Sequence, residues 1–233
     1  VTVTGSGLYL AYTAGDYDLS SAPVNTTGAF KYLESTTGSI LNTAASKLQG
    51  TDLELKASAD IGAVAAPILT KITTLTAAGT NIYITEDDGF TLTNINAATN
   101  IDIKTIAGDI EIVTVTSTGG GDIKLEASSG RLKDDVTEFY SPAVPSQAST
   151  YISTTGTIYL TGADGIGELG PGATQEQRVI SKAVDIDPNT TPTRIFIDDR
   201  GTGTTYLTGP ETSTTDTRVH GNPSFNYHGT NFT

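Results

Sequence analysis

An internal repeat is the feature that most limits what this chain can fold into. Residues 53–62 (LELKASADIG) have a counterpart at 158–167 (IYLTGADGIG), and the two align without a gap at an offset of about 105 residues. Two further pairs follow at offsets of roughly 113–115, which are 81–84 with 194–197 and 91–93 with 206–208. A repeat built from short strands and glycines indicates a stacked β-architecture rather than one closed enzyme core.

Short alternating segments fill residues 79–133. Apolar residues recur at every second position, as in Ile101-Asp102-Ile103, which is the period of a β-strand. Successive strands start about 10 residues apart, so two strands make a coil of roughly 19–22 residues. Strands this short are not stable alone, and stacking the coils would align their Ile and Leu side chains in an internal ladder. The sequence therefore predicts an all-β fold, a right-handed parallel β-helix or β-solenoid with irregular loop insertions.

An antiparallel sandwich would also give short strands and frequent turns, and it is the alternative fold. The composition fits either architecture. Hydrophobic residues make up 36% of the chain and aromatic residues 7%, which is low for a packed globule, whereas 42 of the 233 residues are Thr. Thr, Val and Ile favour strands because they branch at Cβ.

Charge and cysteine content narrow the function classes. The formal net charge of −13 disfavours nucleic acid as a partner, because little here would neutralise phosphates. It suits an extracellular or cell-surface protein and is compatible with cation binding. The chain has no cysteine, which excludes disulfides and thiolate metal sites. No apolar run reaches the length of a membrane span, so none is expected.

Proline placement suggests the internal organisation. Pro142 and Pro145 interrupt strand stacking, because proline cannot donate a ladder hydrogen bond. We expect a first repeat unit at 1–140, a second and loopier unit at 141–209, and an irregular tail at 210–233. Residues 63–75 are ambiguous, and their pattern fits either a short helix or an irregular strand pair.

The first copy carries a family resemblance. Ile61-Gly62 with Pro67, then Leu75-Thr76-Ala77, then Asn81-Ile82-Tyr83-Ile84, resemble repeats of the very large bacterial surface adhesins of the filamentous-haemagglutinin type. The second copy matches only through Gly165-Ile166-Gly167, Pro171 and Ile195-Phe196-Ile197. The resemblance implies a right-handed parallel β-helix on a cell surface or in an extracellular fibre. It implies no catalytic residues.

These observations favour an extracellular structural or adhesive protein that is not an enzyme, either a surface-adhesin segment or a self-assembling filament subunit. A β-helix has two open ends with unpaired backbone groups, which another chain can extend by strand addition. Head-to-tail contacts of this kind build open filaments. The candidate residues for self-association are Val1, Val3, Phe225 and Tyr227. Partners would be further copies, neighbouring repeats of a larger chain, or surface glycans.

The first alternative is a carbohydrate-active β-helix enzyme. Carboxylate pairs occur at 87–88, 134–135 and 198–199, and glycoside hydrolysis needs two carboxylates facing each other across a groove. Adjacent residues of a strand point to opposite faces, so such a pair is not itself that dyad. We expect no catalytic residues.

The second alternative is a calcium-dependent binding module, and calcium is the one candidate cofactor. Glu86, Asp87 and Asp88, and separately Asp185 and Asp187, offer the oxygen ligands that Ca²⁺ takes. No helix–loop–helix calcium motif is present. Candidate glycan acceptors lie in Asn-x-Thr motifs at Asn25, Asn189 and Asn231.

Overall fold

The fold was analysed in a computed structural model of the chain. The structure describes residues 7–19, 30–43, 46–134 and 151–169, and beyond these the backbone of seven further strands between Glu176 and His228. The described residues form strands, turns and bends, without an α-helix. The all-β prediction is therefore confirmed.

Two parallel sheets contain most strands. Sheet 1 has 13 strands, which are β1 (Gly7–Tyr12), β3 (Phe30–Ser35), β6 (Asp52–Ala57), β8 (Thr74–Gly79), β10 (Phe90–Ala97), β12 (Ile110–Ile112), β13 (Thr114–Ser117), β15 (Arg131–Asp134), β16 (Tyr151–Ser153), β18 (Gly165–Ile166), β21 (Val179–Lys182), β23 (Arg194–Asp199) and β25 (Asp216–His220). Sheet 2 has nine strands, which are β5 (Lys47–Gln49), β7 (Ile68–Lys71), β9 (Ile82–Glu86), β11 (Ile101–Thr105), β14 (Ile123–Ala127), β17 (Thr157–Gly162), β22 (Asp185–Pro188), β24 (Thr204–Thr208) and β26 (Phe225–His228).

Two short pairs complete the set. The parallel pair β2 (Tyr17–Asp18) and β4 (Ile40–Leu41) continues sheet 2 through single bridges from Ile40 to Ile61 and from Ile61 to Ile82. The antiparallel pair β19 (Glu168–Leu169) and β20 (Glu176–Gln177) forms a separate small hairpin.

Each coil passes first through sheet 1 and then through sheet 2, with one or two strands in each, and we call each coil a rung. One column of register partners in sheet 2 numbers the rungs from 1 to 10: Tyr17, Ile40, Ile61, Ile82, Ile101, Ile123, Ile158, Ile186, Thr205 and Phe225. Successive members are 19–23 residues apart, except for two longer steps on either side of Ile158. The parallel β-solenoid is thus confirmed, and its right hand stays a prediction from the chirality of parallel crossovers.

The core follows from the two-residue period. In β9 and β11 every second side chain is buried, and the buried set runs from Ile82 through Ile84 to Glu86 in one strand and from Ile101 to Thr105 in the next. Parallel register places these side chains directly above one another, about 4.8 Å apart. Inward aliphatic residues of both sheets form one continuous core, which no single rung could build.

Insertions interrupt the strands at only a few places in the described rungs. In sheet 2, residues 42–46 separate β4 from β5 in rung 2 and residues 62–67 leave rung 3, while β9 in rung 4 is continuous. In sheet 1, residues 135–150 separate β15 from β16 in rung 7, and residues 167–178 separate β18 from β21 in rung 8. Rung 9 is again continuous in β23.

The structure answers one expectation about the organisation. Residues 63–75 contain the parallel strand β7 and the start of β8, so the helix alternative for this stretch is wrong. The expected division into units at 1–140, 141–209 and 210–233 stays a prediction, and residues 135–150 lie outside the described residues. Within 210–233, β25 and β26 pair in parallel with β23 and β24.

The two copies of the sequence repeat lie in different sheets. We call the part of a rung that lies in one sheet a half-rung. The strand β6 of the first copy belongs to sheet 1, whereas its counterpart β17 belongs to sheet 2. Ile61 lies in sheet 2 and bridges Ile82, whereas its counterpart Ile166 lies in sheet 1 and pairs with Ile195. The two copies are therefore related by four and a half rungs, and the half-rung is the unit that repeats.

Candidate functional site

A ladder of polar side chains follows the corner where the chain passes from sheet 1 to sheet 2. Each member precedes the first inward residue of a sheet 2 strand, and its side-chain oxygen accepts a hydrogen bond from the backbone N–H one rung further on. The acceptors of this corner ladder are Asp16, Ser39, Asp60, Asn81, Asn100 and Asp122. The corner ladder satisfies amide groups that the sheets leave unpaired, so it fixes the register of rungs 1 to 7.

Asn81 shows how closely the ladder is connected. Its Oδ1 accepts hydrogen bonds from the backbone N–H of Asn100 at 3.1 Å and from the hydroxyl of Thr99 at 3.0 Å. Its own Nδ2 donates to Asp60 Oδ1 at 2.8 Å. These groups bind one another, and the ladder therefore has a structural role.

One end of the solenoid exposes aromatic side chains beside an open strand edge. β1 is the terminal strand of sheet 1, and no strand in the described part of the chain pairs with its outer edge. Tyr9 on this strand is 75% exposed and its ring lies 6.1 Å from that of Tyr32 on β3. An open parallel edge can accept a further strand, so this end is the strongest candidate for an interface.

The outer face of sheet 2 in rungs 5 and 6 carries a network of ion pairs. Lys104 Nζ lies 2.5 Å from Glu126 Oε1, and Lys124 Nζ lies 3.8 Å from Asp102 and 3.7 Å from Glu126. These side chains are partly exposed, so each pair contributes little to stability. The charges compensate one another and leave no excess of acid on this face.

A shallow pocket of about 320 Å³ lies outside sheet 1, lined in part by Phe90, Asp109, Glu111 and Lys133. The ammonium group of Lys133 lies 3.1 Å from Asp109 and 3.0 Å from Glu111. Burial lowers the pKa of Lys133, but the hydrogen bonds to these two carboxylates outweigh it and raise the pKa overall. The two carboxylates thus hold a lysine between them.

Two charged side chains are fully buried in the described residues, Lys31 and Glu86. Lys31 lies in register between Leu8 and Leu53, and burial lowers its pKa. Its Nζ has no hydrogen-bond partner within the described residues. Glu86 is the last inward residue of β9, at the corner that leads back to sheet 1.

The structure does not bring the first calcium candidates together. Glu86 points into the core, the carboxylate of Asp87 pairs with Lys47, and Asp88 lies 3.5 Å from Lys71. Within the described ranges, no group of three or more acidic, histidine or cysteine side chains converges as a metal site would require. The calcium prediction therefore gains no support from this part of the chain.

Several other predicted site residues have no described side chain. Asp185 and Asp187 lie on β22, and Phe225 and Tyr227 lie on β26, where only the backbone is described. The self-association candidates Val1 and Val3 and the glycan acceptors Asn25, Asn189 and Asn231 fall outside the described residues. These assignments stay predictions.

The fold defines the protein as a parallel β-solenoid with a polar exterior and side loops. The chain matches no protein-family model, no curated protein and no solved structure. The resemblance to haemagglutinin-type repeats therefore stays an expectation from the residues that carry it. No helix in the described part of the chain has the length and apolarity of a membrane span.

Sequence reasoning missed the corner ladder, although its signal is visible. Asp, Asn or Ser stands directly before the first apolar residue of successive sheet 2 strands, as in Asp60-Ile61, Asn81-Ile82 and Asn100-Ile101. It also missed the burial of Glu86, which the sequence analysis considers only as an oxygen ligand for calcium. Counting by twos from Ile82 would have placed Glu86 inside.

Proposed function

We propose that this chain is a structural β-solenoid of an extracellular or cell-surface fibre, and that it is not an enzyme. It associates end to end, with further copies or with neighbouring repeats of a longer polypeptide, and displays loops from its sides. The observation that carries this proposal is the outer edge of β1, with which no strand among the described residues pairs, at the end of a stack of parallel strands.

The stack favours association because each rung binds the next in the same way. β3 pairs with β1 over six residues, from Gly7 with Phe30 to Tyr12 with Ser35. A strand placed on the outer side of β1 would find the same backbone groups and the same inward row that begins with Leu8. Since the strands of both large sheets pair in parallel, the two ends of the stack differ, and copies would join head to tail into an open filament.

Composition and resemblance support the extracellular assignment. The chain carries 26 acidic and 13 basic residues and no cysteine, as suits a secreted fibre without disulfides. The resemblance of residues 61–84 to surface-adhesin repeats, which rests on the residues alone, points the same way. The net charge opposes contact between copies, so salt should strengthen association by screening.

The test is sedimentation velocity of the 233-residue chain over a wide concentration range at low and high salt, with negative-stain imaging of the same samples. The mass should rise with concentration, and the particles should lengthen without thickening. Monomers under all these conditions would overturn the proposal.

A matched pair of variants locates the contact. Tyr9 and Val64 are almost equally exposed, at 75% and 77%, but Val64 lies at the tip of the side loop 62–67. Tyr9→Asp should weaken association at least tenfold, because it adds a charge at the open edge. Val64→Asp adds the same charge elsewhere and should leave association unchanged. Equal effects of the two variants would mean that general repulsion, not the β1 edge, controls assembly.

A further inference from the structure

The corner ladder has one unfilled position, at the end of the stack where β1 lies. In every bond of the ladder a side-chain oxygen accepts the backbone N–H of the next ladder residue, so each N–H points back towards the preceding rung. Asp16 is the ladder residue of rung 1, and it is exposed. Among the described residues, nothing accepts its backbone N–H. This end therefore has an unpaired donor beside the outer edge of β1.

A second bond joins successive ladder residues in the opposite direction. The N–H that follows each acceptor donates to the carbonyl of the next ladder residue, as from Ile40 to Asp60 at 2.8 Å. Asp16 has the same backbone position, because the N–H of Tyr17 donates to the carbonyl of Ser39 at 2.7 Å. The carbonyl of Asp16 would accept such a bond from a preceding rung, and no described residue supplies it.

These two groups of Asp16 specify what can dock on them. The partner must present a side-chain oxygen to the N–H and, one residue later, a backbone N–H to the carbonyl. Aspartate, asparagine, serine and threonine carry an oxygen close enough to the backbone for such a bond. A strand preceded by one of these residues is what each rung of the ladder already supplies to the next.

The other end of the stack offers the required pattern. Thr157, Asp185 and Thr204 lie in register at the start of β17, β22 and β24, where they continue the ladder positions through rungs 7 to 9. The next strand, β26, pairs with β24 and begins at Phe225, and the residue before it in the sequence is Ser224. The sequence therefore has Asp, Asn, Ser or Thr at this position in every rung.

The order of charges along these positions favours the same contact. Neighbouring rungs lie about 4.8 Å apart, and two carboxylates at that distance repel each other. Asp60, Asp122 and Asp185 each have an uncharged residue before and after them in the series. Asp16 has a serine after it, and an uncharged residue before it would complete the pattern. Ser224 of a second copy is such a residue.

We propose that rung 1 docks on rung 10 of a second copy in the one register that continues the corner ladder. This register rests on the proposed end-to-end association and deepens it, because it names the partner surface. Ser224 of the second copy accepts the N–H of Asp16, and the N–H of its Phe225 donates to the carbonyl of Asp16. A shift by two residues would keep the inward face inward, but it would leave both groups of Asp16 unpaired.

Hydrogen exchange at the Asp16 amide tests the register. In dilute monomers this amide should exchange near its intrinsic rate, and in the associated 233-residue chain it should slow by about tenfold or more. The Tyr17 amide is the internal control, because its bond to Ser39 exists in both states. If the chain associates while the Asp16 amide keeps its monomer rate, the register is wrong and the proposed association stands. If sedimentation shows only monomers, both are wrong.

Substitutions at the partner position give a graded test. Ser224→Ala removes the acceptor and should weaken association about fivefold, whereas Ser224→Asn keeps an acceptor of the kind found at Asn81 and Asn100 and should associate like the wild type. Ser224→Asp keeps an acceptor but places a second carboxylate beside Asp16, so it should weaken association at low salt and recover at high salt.

The matched control removes a hydroxyl elsewhere. Ser153→Ala changes the outer face of β16 and should leave association unchanged. Exchange at the Ile61 and Ile82 amides, which are bonded within the stack, reports that each variant is folded. Wild-type association of folded Ser224→Ala, or an equal loss in Ser153→Ala, would overturn the proposed register.

Discussion

The two copies of the internal repeat have the same local backbone structure, but they lie in different sheets. In both, a strand and a corner lead to a buried isoleucine, Ile61 or Ile166, followed by a glycine with positive φ, at +71° for Gly62 and +76° for Gly167. A loop then leaves the stack of rungs, and the corresponding strand of the next rung is continuous. The first copy does this in sheet 2 and the second in sheet 1.

The loops differ more than the strands that carry them. The first copy closes its loop with reciprocal backbone hydrogen bonds of 3.0 Å between Ala63 and Ala66. The second copy builds the antiparallel hairpin β19–β20 in a longer insertion. The stack thus fixes the residues at the base of a loop, and the loop itself is free to change.

The corners of the two copies differ as well. Asp60 precedes Ile61 and belongs to the corner ladder, whereas the equivalent residue before Ile166 is Gly165, which has no side chain to accept a hydrogen bond. Backbone geometry alone makes the half-rungs equivalent. The ladder follows the corner that leads into sheet 2, and the corner into sheet 1 carries a bond of the same kind, from the backbone N–H of Arg131 to Asp109 Oδ1 at 2.8 Å.

The largest expected effect comes from truncating the equivalent isoleucines. Ile61→Ala and Ile166→Ala each remove a side chain with no exposed surface, and each should lower the free energy of unfolding by about 2–5 kcal/mol. Chemical denaturation followed by circular dichroism measures both. If one substitution costs less than about 1 kcal/mol, the two half-rungs are not equivalent in packing.

An intermediate effect is expected at the corner that has the ladder. Asp60→Ala removes the acceptor of the Asn81 backbone N–H at 3.1 Å and of its Nδ2 at 2.8 Å, and should cost about 1–2 kcal/mol. Asp60→Asn keeps an acceptor oxygen and serves as the control, with a change below about 0.5 kcal/mol. Equal losses in the two variants would show that charge, not hydrogen bonding, is what the ladder requires.

The smallest effect should follow removal of a loop. Replacing residues 62–67 by one threonine would give rung 3 the continuous pattern of Ile82-Tyr83-Ile84 in rung 4. Shortening a loop changes its closure entropy only slightly, so stability should stay within about 1 kcal/mol. The matched change replaces residues 167–178 by one residue, on the pattern of Ile195-Phe196-Ile197. Unfolding of either shortened chain would mean that the loop supports the stack.

Local patterns explain what the sequence could reveal. The period of two, with Ile at 82, 84, 101 and 103, predicts which side chains face inward, and the spacing of strands predicts the coil length. The assignment of each strand to a sheet was out of reach, because half-rungs of both sheets have the same period and similar corners. Glu86 was missed because an acid beside two aspartates and a glycine resembles a solvated turn.

The interchangeable half-rungs bear on how such a chain changes length. Recombination within its gene needs a match of only about ten codons rather than a whole coil. The reading frame then continues into a strand that still packs on the stack. A crossover offset by an odd number of half coils moves a side loop to the opposite flank. The number of rungs and the direction in which loops project can therefore evolve separately.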